Sequence, residues 1–320
     1  MNQVFIVHRS SVIARTAPPV PTEEKMNEQR KRVTVPAVRA MKGKSRVGML
    51  TAYDYPSGRI ADAAGADIIL VGDSLGMVVL GYPDTLSVTV DDMLHHTRAV
   101  VRGSKSSLIV GDMPYLSYHV SVEESVRNAG RFIQAGAHAV KIEGAKPSRI
   151  KVIESILDAE IPVMGHIGLT PQSVNALGGF KLQGKNADAA RHLLDEAVAL
   201  ERAGCFSIVL ECVPSELAAM ITEHVAIPTI GIGAGPSCDG QVLVFHDVLG
   251  IYDGHTPKFV RQYAHIAQDM QAALEAYLAD VRSGAFPDEE KESFHMASDE
   301  ELKRLYASMD DGGVVVKIPR

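Results

Sequence analysis

Five apolar runs in this chain end in a side chain able to hold a cation or move a proton. They are Ile68-Ile-Leu-Val-Gly-Asp73, Leu108-Ile-Val-Gly-Asp112, Ala139-Val-Lys141-Ile-Glu143, Pro162-Val-Met-Gly-His166 and Ser207-Ile-Val-Leu-Glu211. Unbroken Ile, Val and Leu without polar alternation is the pattern of a strand buried on both faces, so each polar residue falls at a strand's C-terminal tip. Asp73, Asp112 and Glu143, with no cysteine and one strand-tip histidine beside them, form a hard-oxygen donor set suited to Mg²⁺. Three carboxylates a few Å apart in a partly dry cavity repel one another, so a proton or a metal ion must sit among them. A single acid at such a position reads equally as a cap bonding backbone amides. Recurrence at successive strand ends favours a shared site.

The remaining polar tips leave more than one role open. Lys141 and Glu143 stand two apart on one strand and therefore share a face. Lys141 could offset a carboxylate substrate, form a Schiff base, or be a structural ion paired with Glu143 or Asp112. Glu211, on the sixth strand, is expected away from the metal acids, where a carboxylate serves as general base or as a loop cap. His166 reads first as a satisfied core histidine and second as a substrate contact. His95 and His96 read as helix residues. Gly231, Gly233 and Gly235 suggest either a phosphate-binding turn or a close backbone approach.

Eight strand signals alternate with helical segments: Val47–Tyr53, the stretch from Gly65 to Gly76, Leu108–Gly111, Ala139–Ile142, Pro162–Gly165, Ser207–Leu210, Pro228–Ile232 and Val242–Phe245. This count and length predict a single parallel (β/α)8 TIM barrel, which brings every strand tip to one mouth. A short helix over Thr34–Lys42 is expected to plug one end. A Ser-x-x-Glu capping box is predicted at Ser121 and Glu124. Two long glycine-containing excursions, residues 76–90 and Gly168–Asn186, are lid candidates, the second the better. Pro257–Arg282 reads as helices finishing the outer ring, and Asp299–Met309 as a modest amphipathic helix in a C-terminal extension. The expected organisation is a disordered leader over 1–32, a barrel over 33–296 and an extension over 297–320, without a second domain. The leader carries Arg and Ser but no acid up to Thr22, so a transit peptide is conceivable, although an over-long start is the plainer reading.

The 320 residues carry a formal net charge of −7, which argues against a nucleic-acid or anionic-membrane surface. No apolar run approaches the ~18 residues of a membrane span. Cys205, Cys212 and Cys238 show no CxxC spacing and fit free thiols in a reducing compartment. A small-molecule ligand and a cytoplasmic location are expected.

In their order, Thr51-Ala-Tyr-Asp54, Val71-Gly-Asp-Ser-Leu-Gly76, Val140-Lys-Ile-Glu-Gly144, Gly165-His-Ile-Gly-Leu-Thr-Pro-Gln-Ser-Val174, Val209-Leu-Glu-Cys-Val-Pro214 and Ile230-Gly-Ile-Gly-Ala-Gly235 resemble the ketopantoate hydroxymethyltransferase family. The match runs from about Val33 to Phe294. The resemblance implies transfer of a one-carbon unit from 5,10-methylenetetrahydrofolate to 3-methyl-2-oxobutanoate through a Mg²⁺-stabilised enolate, giving ketopantoate for pantothenate and coenzyme A. It implies that Asp73 and Asp112 bind Mg²⁺, with Glu143 joining directly or through water. Ser74, Asp73, Asp112 and Lys141 would contact the oxo acid, and Glu211 would accept the proton. It also implies a homo-oligomer of dimers assembling further, up to a decamer. Rival readings are a Mg²⁺-dependent carbon-carbon lyase working without folate, a Schiff-base aldolase using Lys141, and a non-catalytic binding barrel. The leader and the tail beyond Met296 have no counterpart in the family pattern.

Overall fold

A computed structural model describes residues 30–310, except 253 and 255. Eight parallel strands run in sequence order around a closed barrel: β1 (Val47–Thr51), β2 (Ile68–Val71), β3 (Leu108–Asp112), β4 (Ala139–Glu143), β5 (Val163–Gly168), β6 (Ser207–Glu211), β7 (Thr229–Ile232) and β8 (Gly240–Leu243). Closure is made by β8 against β1, with Val47 opposite Gly240 and Leu50 opposite Leu243. The predicted (β/α)8 barrel is the fold found. Its last strand begins at Gly240 rather than Val242, and Phe245 opens a helix instead of ending the strand.

The interior follows from the two-residue period of a strand. Val47 and Met49, Ile68 and Leu70, Leu108 and Val110, Ala139, Met164, Val209, Ile230 and Val242 form one buried cluster. Helix α1 (Val35–Ala40) adds Val38 to that cluster and so plugs the barrel floor as expected. Carrying the same inward rows two residues further reaches Asp112, Lys141, His166 and Glu211, with Glu143 two residues beyond Lys141. The apolar layer therefore lies beneath a polar one.

The outer helices are α2 (Tyr55–Ala63), α4 (Val90–Gly103), α5 (Val122–Gln134), α6 (Pro147–Asp158), α8 (Ala187–Ala203) and α9 (Ser215–His224), with single-turn α3 (Leu75–Val78) and α7 (Val174–Leu177) inside the two long excursions. Helix α4 starts at a reciprocal cap in which Thr89 Oγ1 accepts from Asp92 N and Asp92 Oδ2 accepts from Thr89 N. Its buried stripe Met93, Leu94, Thr97, Val100 keeps helical spacing. At α5, Ser121 accepts from Glu124 N at 3.1 Å, one arm only of the predicted box. Gly111 permits close packing of α5 on β3, because a Cβ there would stand 2.4 Å from Phe132 Cδ1.

The chain divides into two compact units at α10 (Phe245–Leu249), the second comprising Leu249–Gly254 and Gln262 onward. It contains α11 (Ile266–Ser283) and α12 (Asp299–Asp310). Helix α11 starts only at Ile266 and buries none of its residues, unlike the ring helices predicted for Pro257–Arg282. The expected leader lies outside the described residues up to position 29. Arg30, from its last three residues, pairs with Asp67 at 2.7 Å.

One acid holds the turn that enters β3. Asp62 on α2 accepts from Lys105 N, Ser106 N, Ser107 N and Ser107 Oγ at 2.7–3.0 Å. Partial burial pushes its carboxyl up, but these donors outweigh it and hold the pKa below the ordinary 3.8. A depressed folded pKa means the stabilisation is present above the unfolded value and disappears as pH falls through the folded one. Asp62→Ala is expected to lower unfolding free energy by about 1–3 kcal/mol at neutral pH in urea titrations. The deficit should shrink below about pH 4.

Candidate active site

Strand register builds a continuous row of charge across the barrel mouth. Asp112 pairs in register with Lys141, Glu143 with His166, and Gly168 with Glu211. Lys141 Nζ lies 2.8 Å from Asp112 Oδ1 and 3.8 Å from Glu143 Oε1. His166 Nδ1 stands 3.3 Å from Lys141 Nζ and 3.5 Å from Glu143 Oε1, while its Nε2 lies 3.3 Å from Glu211 Oε2. Asp73, two residues past β2, joins through its backbone N–H, which donates to Asp112 Oδ2 at 3.1 Å. Asp73, Asp112, Lys141, Glu143 and His166 are all buried, whereas the Glu211 side chain keeps 17% exposure. Ser74 sits beside them, its Oγ 2.9 Å from the Tyr53 hydroxyl.

Two expectations change. Glu211 is not remote from the acids, because a single strand separates β4 from β6 and His166 on that strand bridges Glu143 to Glu211. Nor is His166 a satisfied core histidine, since its Nε2 is buried without an aligned hydrogen bond. Burial and the Lys141 ammonium push the imidazole down, but Glu143 and Glu211 outweigh them and raise it to about 9.

The electrostatics separate the acids. Burial, then Asp112 and Glu143, push the Asp73 carboxyl well up, against the pull of Lys141 and Gln172. Burial also raises Asp112, in spite of Lys141. Burial works the same way on Glu143, yet His166 and Lys141 bring it below the ordinary range. Lys141 loses by burial and gains more from Asp112, Glu143 and Asp73, so its pKa rises and it stays an ammonium. An ammonium has no lone pair for a carbonyl, so the ion pairs with Asp112 and Glu143 favour a charge role over Schiff-base chemistry.

The donor set fits a hard divalent cation. Asp112 Oδ1 faces only the Lys141 ammonium, and Glu143 Oε1 is buried without an aligned hydrogen bond. Among the described residues no group of three or more acids, imidazoles or thiols is already placed to hold a metal ion. Mg²⁺ does not require one, being held through one or two carboxylates together with water and substrate oxygens. Added positive charge would also relieve the repulsion that pushes the Asp73 carboxyl up.

Sequence reasoning passed over Gln172 and Tyr118. Gln172 Nε2 donates to Asp73 Oδ2 at 2.8 Å and to Met113 O at 3.0 Å, while its backbone N–H donates to Glu143 Oε2 at 3.1 Å. The Tyr118 hydroxyl donates to Gln172 Oε1 at 2.5 Å. Neutral loop residues leave no periodic signal; the usable clue was a buried-type amide within a motif already noted. Gly235 fits the close-approach reading of the glycine turn: its φ is +77° and a Cβ would meet Ser215 Oγ at 2.2 Å.

A cavity of about 490 Å³ opens beside Glu143 and Gln172, walled by Tyr118, Arg149 and the excursion after β5, including Thr170 and Asn175. A larger groove of about 790 Å³ lies between α6 and α8, lined by Ile150, Arg191, Leu194 and Arg202. The larger groove holds no strand-tip residue, whereas the smaller cavity meets the charged row at Glu143 alone, the other five polar tips lying outside its lining.

The sequence profile described as ketopantoate hydroxymethyltransferase matches residues 32–289. The 3-methyl-2-oxobutanoate hydroxymethyltransferase of Syntrophomonas wolfei is 57% identical over 277 residues, 86% of this chain and 99% of its own. That of Moorella thermoacetica is 56% identical over 264 residues, 82% of this chain and 98% of its own. Among solved structures, a 2,3-dimethylmalate lyase of the PEP mutase/isocitrate lyase superfamily superposes with TM-score 0.54 at 19% identity, covering 89% of this chain and 99% of its own. A phosphonopyruvate hydrolase bound to oxalate and Mg²⁺ gives 0.52 at 14% identity, covering 87% and 96%. At these identities the two structures speak to the barrel alone.

Removing the ammonium from the row leaves two buried acids without their counter-charge. Lys141→Met is expected to cost about 3–5 kcal/mol in urea unfolding with EDTA present. A structural surface lysine would cost almost nothing in the same measurement.

Proposed function

Because this chain belongs to the ketopantoate hydroxymethyltransferase family, we propose that it transfers a one-carbon unit from 5,10-methylenetetrahydrofolate to 3-methyl-2-oxobutanoate. Ketopantoate would be the product, on the route to pantothenate and coenzyme A. The observation that carries the reading is the graded row at the mouth: buried acids paired with Lys141 on β3 and β4, and a partly exposed carboxylate, Glu211, on β6.

Asp73 and Asp112 would hold Mg²⁺, with Glu143 direct or through water. Bound there, the ion supplies a charge that the oxo acid's carboxylate and keto oxygens chelate, lowering the energy of the negative charge left when C3 loses its proton. Glu211 takes the C3 proton onto its carboxylate. Its 17% exposure among otherwise buried acids supports this role, and His166, close to both Glu211 and Glu143, would orient it. Lys141 offsets the substrate's carboxylate, and Ser74, fixed by Tyr53, donates to the oxo acid. The carbon nucleophile would then attack the folate methylene as one C–N bond of its bridge breaks, and water would replace the second nitrogen, leaving its OH on the product. The water's other proton and the one held by Glu211 go to the two freed nitrogens of tetrahydrofolate. The 490 Å³ cavity that meets the row at Glu143 falls within the range of about 300–1,000 Å³ for sites of drug-sized ligands and suits the folate donor. The excursion after β5 walls this space and would exclude bulk water during the carbanionic step.

Deuterium exchange at C3 of 3-methyl-2-oxobutanoate tests the reading. Wild-type protein should exchange with Mg²⁺ and without folate, and form ketopantoate only when folate is added. Product formed without folate would favour a lyase. Glu211→Gln should keep Mg²⁺ and oxo-acid binding while exchange falls about 10²–10⁴-fold. Unchanged exchange removes Glu211 as the base.

A further inference from the structure

Gln172 uses every hydrogen-bonding group of its side chain on the acid cluster and its surroundings. Both amide hydrogens are donated, one to Asp73 Oδ2 (2.8 Å) and one to Met113 O (3.0 Å), and its carbonyl accepts from Tyr118 (2.5 Å). The backbone N–H adds Glu143 Oε2 at 3.1 Å. The residue is only 4% exposed, so each of these bonds is made away from water. Asp73 and Glu143 come from different strands, and Gln172 from the excursion after β5, so one residue ties two acids to the wall of the cavity.

We propose that Gln172 is a positioning residue for the cation site, selecting which oxygens of Asp73 and Glu143 remain for the metal. A carboxylate has two oxygens and turns freely about its last bond. A donor fixed on Oδ2 of Asp73 and another on Oε2 of Glu143 stop that rotation and present the opposite oxygens. Glu143 Oε1, with Lys141 Nζ at 3.8 Å and His166 Nδ1 at 3.5 Å, is left buried and without an aligned hydrogen bond. Glutamine alone among neutral side chains of this length both donates to an acid and accepts from a tyrosine hydroxyl. A glutamate would repel Asp73, and an apolar side chain would leave it free to turn. Tyr118 fixes the amide's orientation and, by accepting from Glu143 N at 3.3 Å, links it to β4. Outer-sphere partners of this kind control affinity through the ligands they hold.

The inference rests on the cation reading above, and calorimetric titration of the full-length chain with Mg²⁺ alone separates the two. Gln172→Met keeps the side chain's length and removes its three bonds. The expected result is Mg²⁺ binding weakened about 10–100-fold, with the Mg²⁺ concentration for half-maximal C3 exchange rising by the same factor. Tyr118→Phe, which only loosens the amide, should weaken Mg²⁺ less and in the same direction. A merely structural role would lower the melting temperature in EDTA and leave the dissociation constant alone. Mg²⁺ affinity within about twofold of wild type in Gln172→Met overturns the inference. Should that variant fail to fold, unchanged affinity in Tyr118→Phe overturns it. Wild-type protein that binds no Mg²⁺ refutes the cation reading itself.

Discussion

A buried ammonium among acids is the constraint on which the site depends. Lys141 Nζ sits 2.8 Å from Asp112 and within 4 Å of Glu143, with almost no solvent. Desolvating any one of these charges alone would be prohibitive, and their mutual attraction offsets much of that cost. The compensation is incomplete, because Asp73, Asp112, Glu143 and Glu211 outnumber the Lys141 ammonium and the His166 imidazole. Asp73 carries a raised pKa, and Glu143 Oε1 is buried without an aligned hydrogen bond. A crowded acid set of this kind suits a hard cation held by few protein ligands.

The barrel makes this excess tolerable by where it puts it. Beneath the row lies an apolar layer of Met49, Leu70, Val110, Ala139, Met164 and Val209, closed from below by Val38. Its low polarisability strengthens every interaction above it. Beside the row, Gln172 donates to Asp73 Oδ2 and to Glu143 Oε2, and the Tyr118 hydroxyl fixes its amide. Rigid strands thus set the charges, and a loop finishes their hydrogen bonding. A division of this sort lets the loop vary its outer face while the acids stay in register.

The row also gives Glu211 a different environment from the other acids. It is the partly exposed member, and His166 stands between it and Glu143. One set of carboxylates can hold charge while another exchanges a proton only when their surroundings differ in this way. The imidazole raised to about 9 supplies a positive charge between the two groups at neutral pH.

Much of this was legible along the chain. Unbroken runs such as Ile68–Val71 and Leu108–Gly111 announce parallel strands, because burial on both faces leaves no place for alternation, and the two-residue spacing of Lys141 and Glu143 puts them on one face. The strand count and the meeting of Asp73, Asp112, Lys141, Glu143, His166 and Glu211 follow from that pattern and from the short-range rule that parallel strands need crossovers. What the sequence could not determine was the contact between residues whose signals are not periodic. His166 as the link that brings Glu211 to the acids depends on register across β4, β5 and β6, and Gln172 reaching Asp73 depends on how a loop folds back over a completed barrel. Those arrangements are set by packing and hydrogen-bond satisfaction among residues far apart in sequence, which exist only once the sheet has closed.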